Sequence, residues 1–499
     1  MAAAVGAVVM GAELAAGRLL APYLGTSTLV WSLLIGAVLS FLALGQLWGG
    51  RLSRGGAPLR RLALVLLGSA AWLALLPFLG PWLLRSSQSL FRSGAMMSLA
   101  VSGLGSTVLV AIPMLGLGAA GPLLIHQAVQ AGHSTGPVAG RLYASGSLGS
   151  LLGTYATGLL LIPLLGTART FWACAALLLM LGLTVLLHRP LHRALAALAA
   201  LLCAAPILIL LPAPSLHARP GLIHESETLH NYVQVVDNGR ERRLLLNDGY
   251  AVQSYASNDG ALPLWSVWGY YATAPSYTSG GTPARVLLLG LGGGTAAVLY
   301  RALYPQAAIT GVELDSGVVR AGQQFLGMPR DITVVSDDAR AFVTRDLHSY
   351  DVIVVDAFQF PYVPFQLCTQ EFFALLDARL SPGGVLMLNV GRDGTSREVV
   401  ESIARTAHAR FATLRGVDVG RSNTILVATR HPADRDAGLG RLGLPERIER
   451  RLQSLDPVKP WEIRADALVL TDDRAPVELL TDRILLRRIW PALGGGDSG

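Results

Sequence analysis

The chain has 499 residues, 52% of them hydrophobic and 15% charged, with a formal net charge of +7 and three cysteines. That length implies more than one domain. Cys174, Cys203 and Cys368 lie far apart with no CxxC or HExxH spacing, so neither a disulfide framework nor a structural zinc site is expected. The charge is unevenly spread: residues 1–213 hold one acid, Glu13, and eleven arginines, a net of +10, leaving −3 for residues 214–499. The basic balance therefore belongs to the apolar half and reads as membrane topology rather than nucleic-acid binding.

Taken in order, seven segments are apolar and long enough to cross a bilayer: about 2–22, 27–49, 62–84, 96–124, 143–165, 168–187 and 194–212. The first is too long, and too closely followed by others, to read as a cleaved signal. Small residues crowd Tyr143 to Gly158, YASGSLGSLLGTYATG, a pattern that lets helices approach closely. Glu13 and Arg18 are charges inside an apolar segment and should face protein or water, or in the case of Arg18 reach the surface. Pro113 is expected to interrupt the long fourth segment. Arginines gather in the loops after the second, fourth and sixth segments, which by the charge rule puts the C-terminal half outside the cytoplasm. The cytoplasmic side is nevertheless the expectation adopted for that half.

Pro212 to Pro220 reads as a linker. Tyr232–Val236 and Arg243–Leu246 are strand-like and joined by Asp237-Asn238-Gly239, a hairpin signal. Beyond Pro283, apolar runs alternate with helical ones: 286–290, 296–304, 308–313, 316–326, 332–335, 338–346, 351–355, 370–379 and 384–390. This alternation predicts a doubly wound parallel sheet, with ligand contacts at the carboxyl ends of its strands. The first such end is VLLLGLGGG, Val286 to Gly294. Gly290, Gly292, Gly293 and Gly294 offer a tight turn with bare backbone, Thr295 can cap the following helix, and the next strand ends in Glu313, an acid placed to hold a ribose diol. The remaining ends are Ser336–Asp338 and Asp356.

GLGGGT, GVELD, SDDARAF and DVIVVDAF, in that order, resemble the motifs of spermidine synthases, the polyamine aminopropyltransferases. The hairpin with LNDGYAVQ resembles that family's N-terminal β-domain. PFQLCTQEFF, LTDDRAPVE, ELAAGRLLAPYLG and GRLYASGSLGSLLGTYATG look like its membrane-fused branch. The resemblance implies a multi-pass helical membrane domain over 1–213, a linker and β-domain over 214–282, a Rossmann-like adenosyl-binding domain over 283–435 and a C-terminal extension over 436–499. It implies Gln253 on the adenosyl ligand, Glu313 on the ribose, Asp338 on the adenine amino group with Ala339 beside it, and Asp356 as base for the attacking amine. Asp338 and Asp356 could instead be helix caps. Gln359 stands on the acceptor side, where the family has a second aspartate. Thr295 replaces an aspartate that meets the donor's ammonium, and Leu262 and Leu264 replace a tyrosine and an acid. Thr295 could therefore admit the carboxylate of intact S-adenosylmethionine.

Three functions follow as expectations. The first is aminopropyl transfer from decarboxylated S-adenosylmethionine to an amine, releasing methylthioadenosine. The second is other sulfonium chemistry, either cleavage of S-adenosylmethionine to methylthioadenosine and homoserine lactone or methyl transfer. The third is a non-enzymatic adenosyl-ligand sensor or transporter. No metal or resident cofactor is implied. The expected partners are a small adenosyl donor, a polyamine and the lipid bilayer of the cell membrane, with no nucleic acid and a homo-oligomer left open.

Overall fold

The computed structural model describes residues 1–24, 28–54, 57–91, 95–187, 212–247, 251–357, 363–392, 397–477 and 480–481. The chain divides into two compact units. The first gathers Met1–Arg219 with Glu225–Tyr232; the second gathers Pro220–His224, Val233–Leu246 and Tyr250–Gly499. The linker and β-domain expected over 214–282 thus contribute to both.

In the first unit, six helices among the described residues are long and apolar enough to cross a membrane: Ala2–Tyr23, Val30–Ser53, Pro58–Ser86, Leu109–Gln130, Thr135–Leu165 and Thr167–Leu186. The seventh expected segment, 194–212, lies almost wholly outside the described residues. The expected break at Pro113 does not occur: α4 (Ala95–Gln130) continues through Pro113 and Pro122. Neighbouring helices can offset a lost backbone hydrogen bond in such a helix.

The small residues of 143–158 act as their pattern suggests. Helix α5 (Thr135–Ala156) lies against α1 (Ala2–Leu24) so closely that a Cβ on Gly149 would stand 1.8 Å from the Ala3 carbonyl oxygen. One on Gly153 would stand 2.4 Å from that of Ala7. Helix α2 (Thr28–Ser53) meets α4 in the same manner, with Gly118 against Leu42 and Gly45 against Leu115. After Ala156 the helix widens into a π turn, Thr157–Leu161. Glu13 is 9% exposed. Arg18 donates to the carbonyl of Leu229, and Glu227 accepts from both the backbone N–H and the hydroxyl of Thr167.

The second unit is built on an eight-stranded sheet and carries part of a four-stranded one. The smaller sheet runs in the order β1 (Leu222–Glu227), β2 (Tyr232–Asp237), β3 (Glu241–Leu246), β4 (Val252–Ser257). The hairpin expected at Asp237–Gly239 is the turn between β2 and β3, with Gly239 at φ 85°.

The larger sheet contains β5 (Arg285–Leu289), β6 (Ala308–Glu313), β7 (Thr333–Ser336), β8 (Tyr350–Val355) and β9 (Leu380–Gly391) as parallel neighbours in the order β9-β8-β5-β6-β7. Beyond β9 it continues with antiparallel β11 (Asn423–Thr429) and β10 (Thr413–Val419), closed by the short β12 (Lys459–Pro460). This antiparallel wing has no counterpart among the strands expected from the sequence. β12 comes from the expected C-terminal extension, so Lys459–Pro460 of that segment join the sheet.

The continuous apolar runs are explained by burial on both faces. Leu287, Leu289, Ile353 and Val355 enter one hydrophobic cluster, while their neighbours Val286, Leu288, Val352 and Val354 enter another. Strand order reverses between β5 and β8, so their carboxyl ends diverge into helices on opposite sides and leave a crevice there.

Candidate active site

The crevice is where the glycine turn and Asp356 meet. β5 and β8 pair in parallel with Leu289 opposite Val355, so Gly290 and Asp356 leave the sheet side by side. Asp356 donates its backbone N–H to the Leu289 carbonyl at 2.8 Å. Gly290, at φ 89°, passes so near that a Cβ there would stand 2.3 Å from the Asp356 carbonyl oxygen. Gly292 and Gly294 also take positive φ, 55° and 89°, which side chains rarely adopt.

Two side chains hold this turn in place. Glu313, at the end of β6, accepts from the Gly292 N–H at 2.8 Å and, through its other oxygen, from the Asp315 N–H at 3.1 Å. Burial raises its pKa, while those backbone donors oppose the rise. Each carboxylate oxygen can accept more than one hydrogen bond, so this bracing leaves capacity for a diol. Ser254, next to Gln253 on β4, accepts from the Gly293 N–H at 2.7 Å and donates to the Gln253 carbonyl. Half-buried Gln253 therefore stands beside the turn, as expected, although it precedes Gly293 by 40 positions. Nothing in the sequence singled out Ser254.

Thr295 departs from its expected place. The N-cap of α9 (Thr295–Leu303) is Gly294, and no side chain caps it. Thr295 is 2% exposed, and its hydroxyl accepts from the Tyr255 N–H at 2.7 Å and donates to the Tyr255 carbonyl at 3.0 Å. The hydroxyl thus stitches the helix start to β4, with both its donor and an acceptor role taken by Tyr255. Leu264 is buried and Leu262 packs on the same cluster, so both serve the core.

Asp338 caps α11 (Ala339–Arg345): its side chain accepts from the Ala341 N–H at 2.9 Å. Ala339 is buried at the first turn of that helix. The helix is clamped from a distance by Asp472 of the LTDDRAPVE motif. Both Asp472 oxygens take hydrogen bonds from Arg340, at 2.6 and 2.5 Å, and one also takes the Thr369 hydroxyl at 2.7 Å. That motif is therefore a brace for the helix carrying Asp338. Gln359 and the Asp248–Tyr250 part of LNDGYAVQ lie outside the described residues.

Asp356, like Glu313, has a raised carboxyl pKa. Part of the residue reaches the surface, but its carboxyl group is desolvated, and its pKa is pushed from 3.8 up to about 6. Asn389, on β9, opposes the rise by donating from Nδ2 to Asp356 Oδ1 at 2.8 Å. Tyr271, on α8 (Ser266–Thr273), brings its hydroxyl to the same carboxyl group and also lowers its pKa, without reaching full hydrogen-bond geometry. Neither residue was expected from the sequence. Asn389 had a signal: it is the single polar residue in the apolar run VLMLNV, Val385 to Val390.

Comparison with known proteins finds similarity over part of the chain. Residues 274–416 match the family described as "Spermine/spermidine synthase domain". A probable polyamine aminopropyl transferase of Bifidobacterium longum is 30% identical over 283 residues, covering 52% of this chain and 62% of that protein. A polyamine aminopropyltransferase of Corynebacterium efficiens is 30% identical over 353 residues, covering 63% and 64% respectively. The chain thus spans somewhat under two thirds of these relatives' length. The crystal structure of a probable spermidine synthase from Corynebacterium glutamicum aligns with a TM-score of 0.42 at 19% identity, over 51% of this chain and 97% of that one.

Proposed function

We propose that this chain is a membrane-attached aminopropyltransferase, a reading supported by the match of residues 274–416 to the spermine/spermidine synthase domain. An amine nitrogen attacks the aminopropyl carbon bonded to the sulfonium of decarboxylated S-adenosylmethionine. The C–N bond forms as the C–S bond breaks, methylthioadenosine leaves as a neutral thioether, and the nitrogen gives its surplus proton to Asp356. A sulfonium is already an activated leaving group, so the reaction needs no metal. Glu313 would take the ribose diol, Gln253 and Asp338 the adenosyl portion, and the bare backbone of Gly290 to Gly294 would allow the donor's close approach.

The observation that carries this reading is Asp356: a desolvated carboxyl group at the strand-order reversal, against the glycine turn, with a pKa of about 6. A base is most effective when its pKa lies near the working pH. The six apolar helices support attachment to a membrane; the cytoplasmic side for the second unit rests on donor supply alone, against the arginine distribution. The test is incubation of purified protein with either adenosyl donor, with and without putrescine, followed by mass spectrometry. Aminopropylated amine and methylthioadenosine should form only when the decarboxylated donor and an amine are both present. Methylthioadenosine formed from intact S-adenosylmethionine without an acceptor, or a methylated product, would overturn the proposal.

A further inference from the structure

The Asp356 carboxyl group has two neighbours with hydrogen-bonding capacity left over. Asn389 is 7% exposed, and while its Nδ2 serves Asp356, its Oδ1 is buried without a partner. Tyr271 is 1% exposed, and its hydroxyl is likewise buried and unpartnered while standing beside both Asp356 and Asn389. Buried polar atoms are almost always hydrogen-bonded, so two left unsatisfied at one carboxyl group call for a reason.

We propose that Tyr271 and Asn389 are positioning residues forming a reversible hydrogen-bond relay with Asp356. When Asp356 is ionised, the Tyr271 O–H turns toward it and donates to the carboxylate. When Asp356 has taken a proton from the attacking nitrogen, its new O–H donates to the Tyr271 oxygen, and the Tyr271 O–H turns to Asn389 Oδ1. A hydroxyl can donate and accept, and can rotate between the two arrangements. Asn389 Nδ2 holds Asp356 Oδ1 throughout, which leaves the other carboxylate oxygen to receive the proton. No net proton is gained or lost by Tyr271 or Asn389.

The surroundings fit this division. Among the described residues, Asn389 and Tyr271 are the only groups whose side chains perturb Asp356. Behind Tyr271 stands Tyr300, whose hydroxyl donates to the Tyr271 carbonyl at 2.7 Å and so fixes the backbone from which the relay hydroxyl projects. Burial holds the Tyr271 and Tyr300 hydroxyls far above the range in which they would ionise.

The inference rests on Asp356 being the base, and its test separates the two. The carboxyl stretch of Asp356 is followed by difference infrared spectroscopy of the full chain across pH, with the band identified by its loss in Asp356→Asn. In Tyr271→Phe the midpoint should move up by about one pH unit, because a donor to the charged form has been removed. Asn389→Ser is the second variant and should move it in the same direction. Where turnover is measurable, its acidic limb should move by the same amount, with kcat affected more than the donor KM. An unmoved midpoint in a folded Tyr271→Phe or Asn389→Ser protein overturns the relay. A moved midpoint in a protein that never transfers an aminopropyl group upholds the relay and overturns the proposed reaction alone.

Discussion

In the first unit the helices meet backbone to backbone, with Gly149 and Gly153 of α5 against Ala3 and Ala7 of α1. In the second, strands are separated from their covering helices by full side chains, with Phe372, Phe373, Tyr300 and Tyr304 among the largest buried ones. The contrast follows from the expected surroundings of each. Lipid is as apolar as a leucine side chain, so helices there gain by close packing rather than by removing apolar surface from water. In water the gain comes from the apolar area buried. The two units should therefore fail differently: the first when atoms are added at a contact, the second when a specific polar atom is taken away.

The largest effect should come from Gly149→Leu. The added side chain has only 1.8 Å before the Ala3 carbonyl, so α1 and α5 must part. Overpacking at one core position costs roughly 1–3 kcal/mol, and displaced backbone should bring the loss to the upper end or beyond. Thermal unfolding in detergent should show a lowered midpoint. A melting curve like that of the unmodified protein would mean the helices do not meet there.

Next is Asp356→Asn, which keeps shape and removes the proposed base. Turnover should fall by about 100-fold or more, while donor affinity by calorimetry stays within a few-fold. Collapse of binding with turnover retained would make Asp356 a binding residue. In the unmodified protein the proposed base works only when ionised, so kcat should fall as pH drops through about 6. A limb near 4 would show that the carboxyl group is not desolvated during turnover.

Glu313→Ala should weaken donor binding at least tenfold, about 1.4 kcal/mol, because it removes the proposed diol acceptor and frees the Gly292 N–H that it braces. Unchanged affinity in calorimetry would confine Glu313 to holding the turn. The smallest effect is expected for Thr295→Val, which should lower stability by about 1 kcal/mol through the lost links to Tyr255. The preference between the two adenosyl donors should not change, since the hydroxyl is already engaged. A shift in that preference would restore Thr295 to the ligand.

The apolar half, the alternating strands and helices, the glycine turn and the acids at strand ends were all legible in the sequence. Each depends on local order: a run of apolar residues, a period, or a residue one step beyond a strand. Gly290, Glu313 and Asp356 could be assigned to one crevice because parallel strands bring their carboxyl ends to the same edge. What only the tertiary structure decided are the partners contributed by distant segments. Thr295 reads as a cap until Tyr255, forty positions earlier, occupies its hydroxyl. Asp472 reads as an isolated acidic motif until Arg340 closes on it. Asn389 and Tyr271 read as core residues until β9 and α8 bring them to Asp356. A side chain's residual hydrogen-bonding capacity depends on which atoms fill the space around it, and in this protein that space is filled from remote parts of the chain.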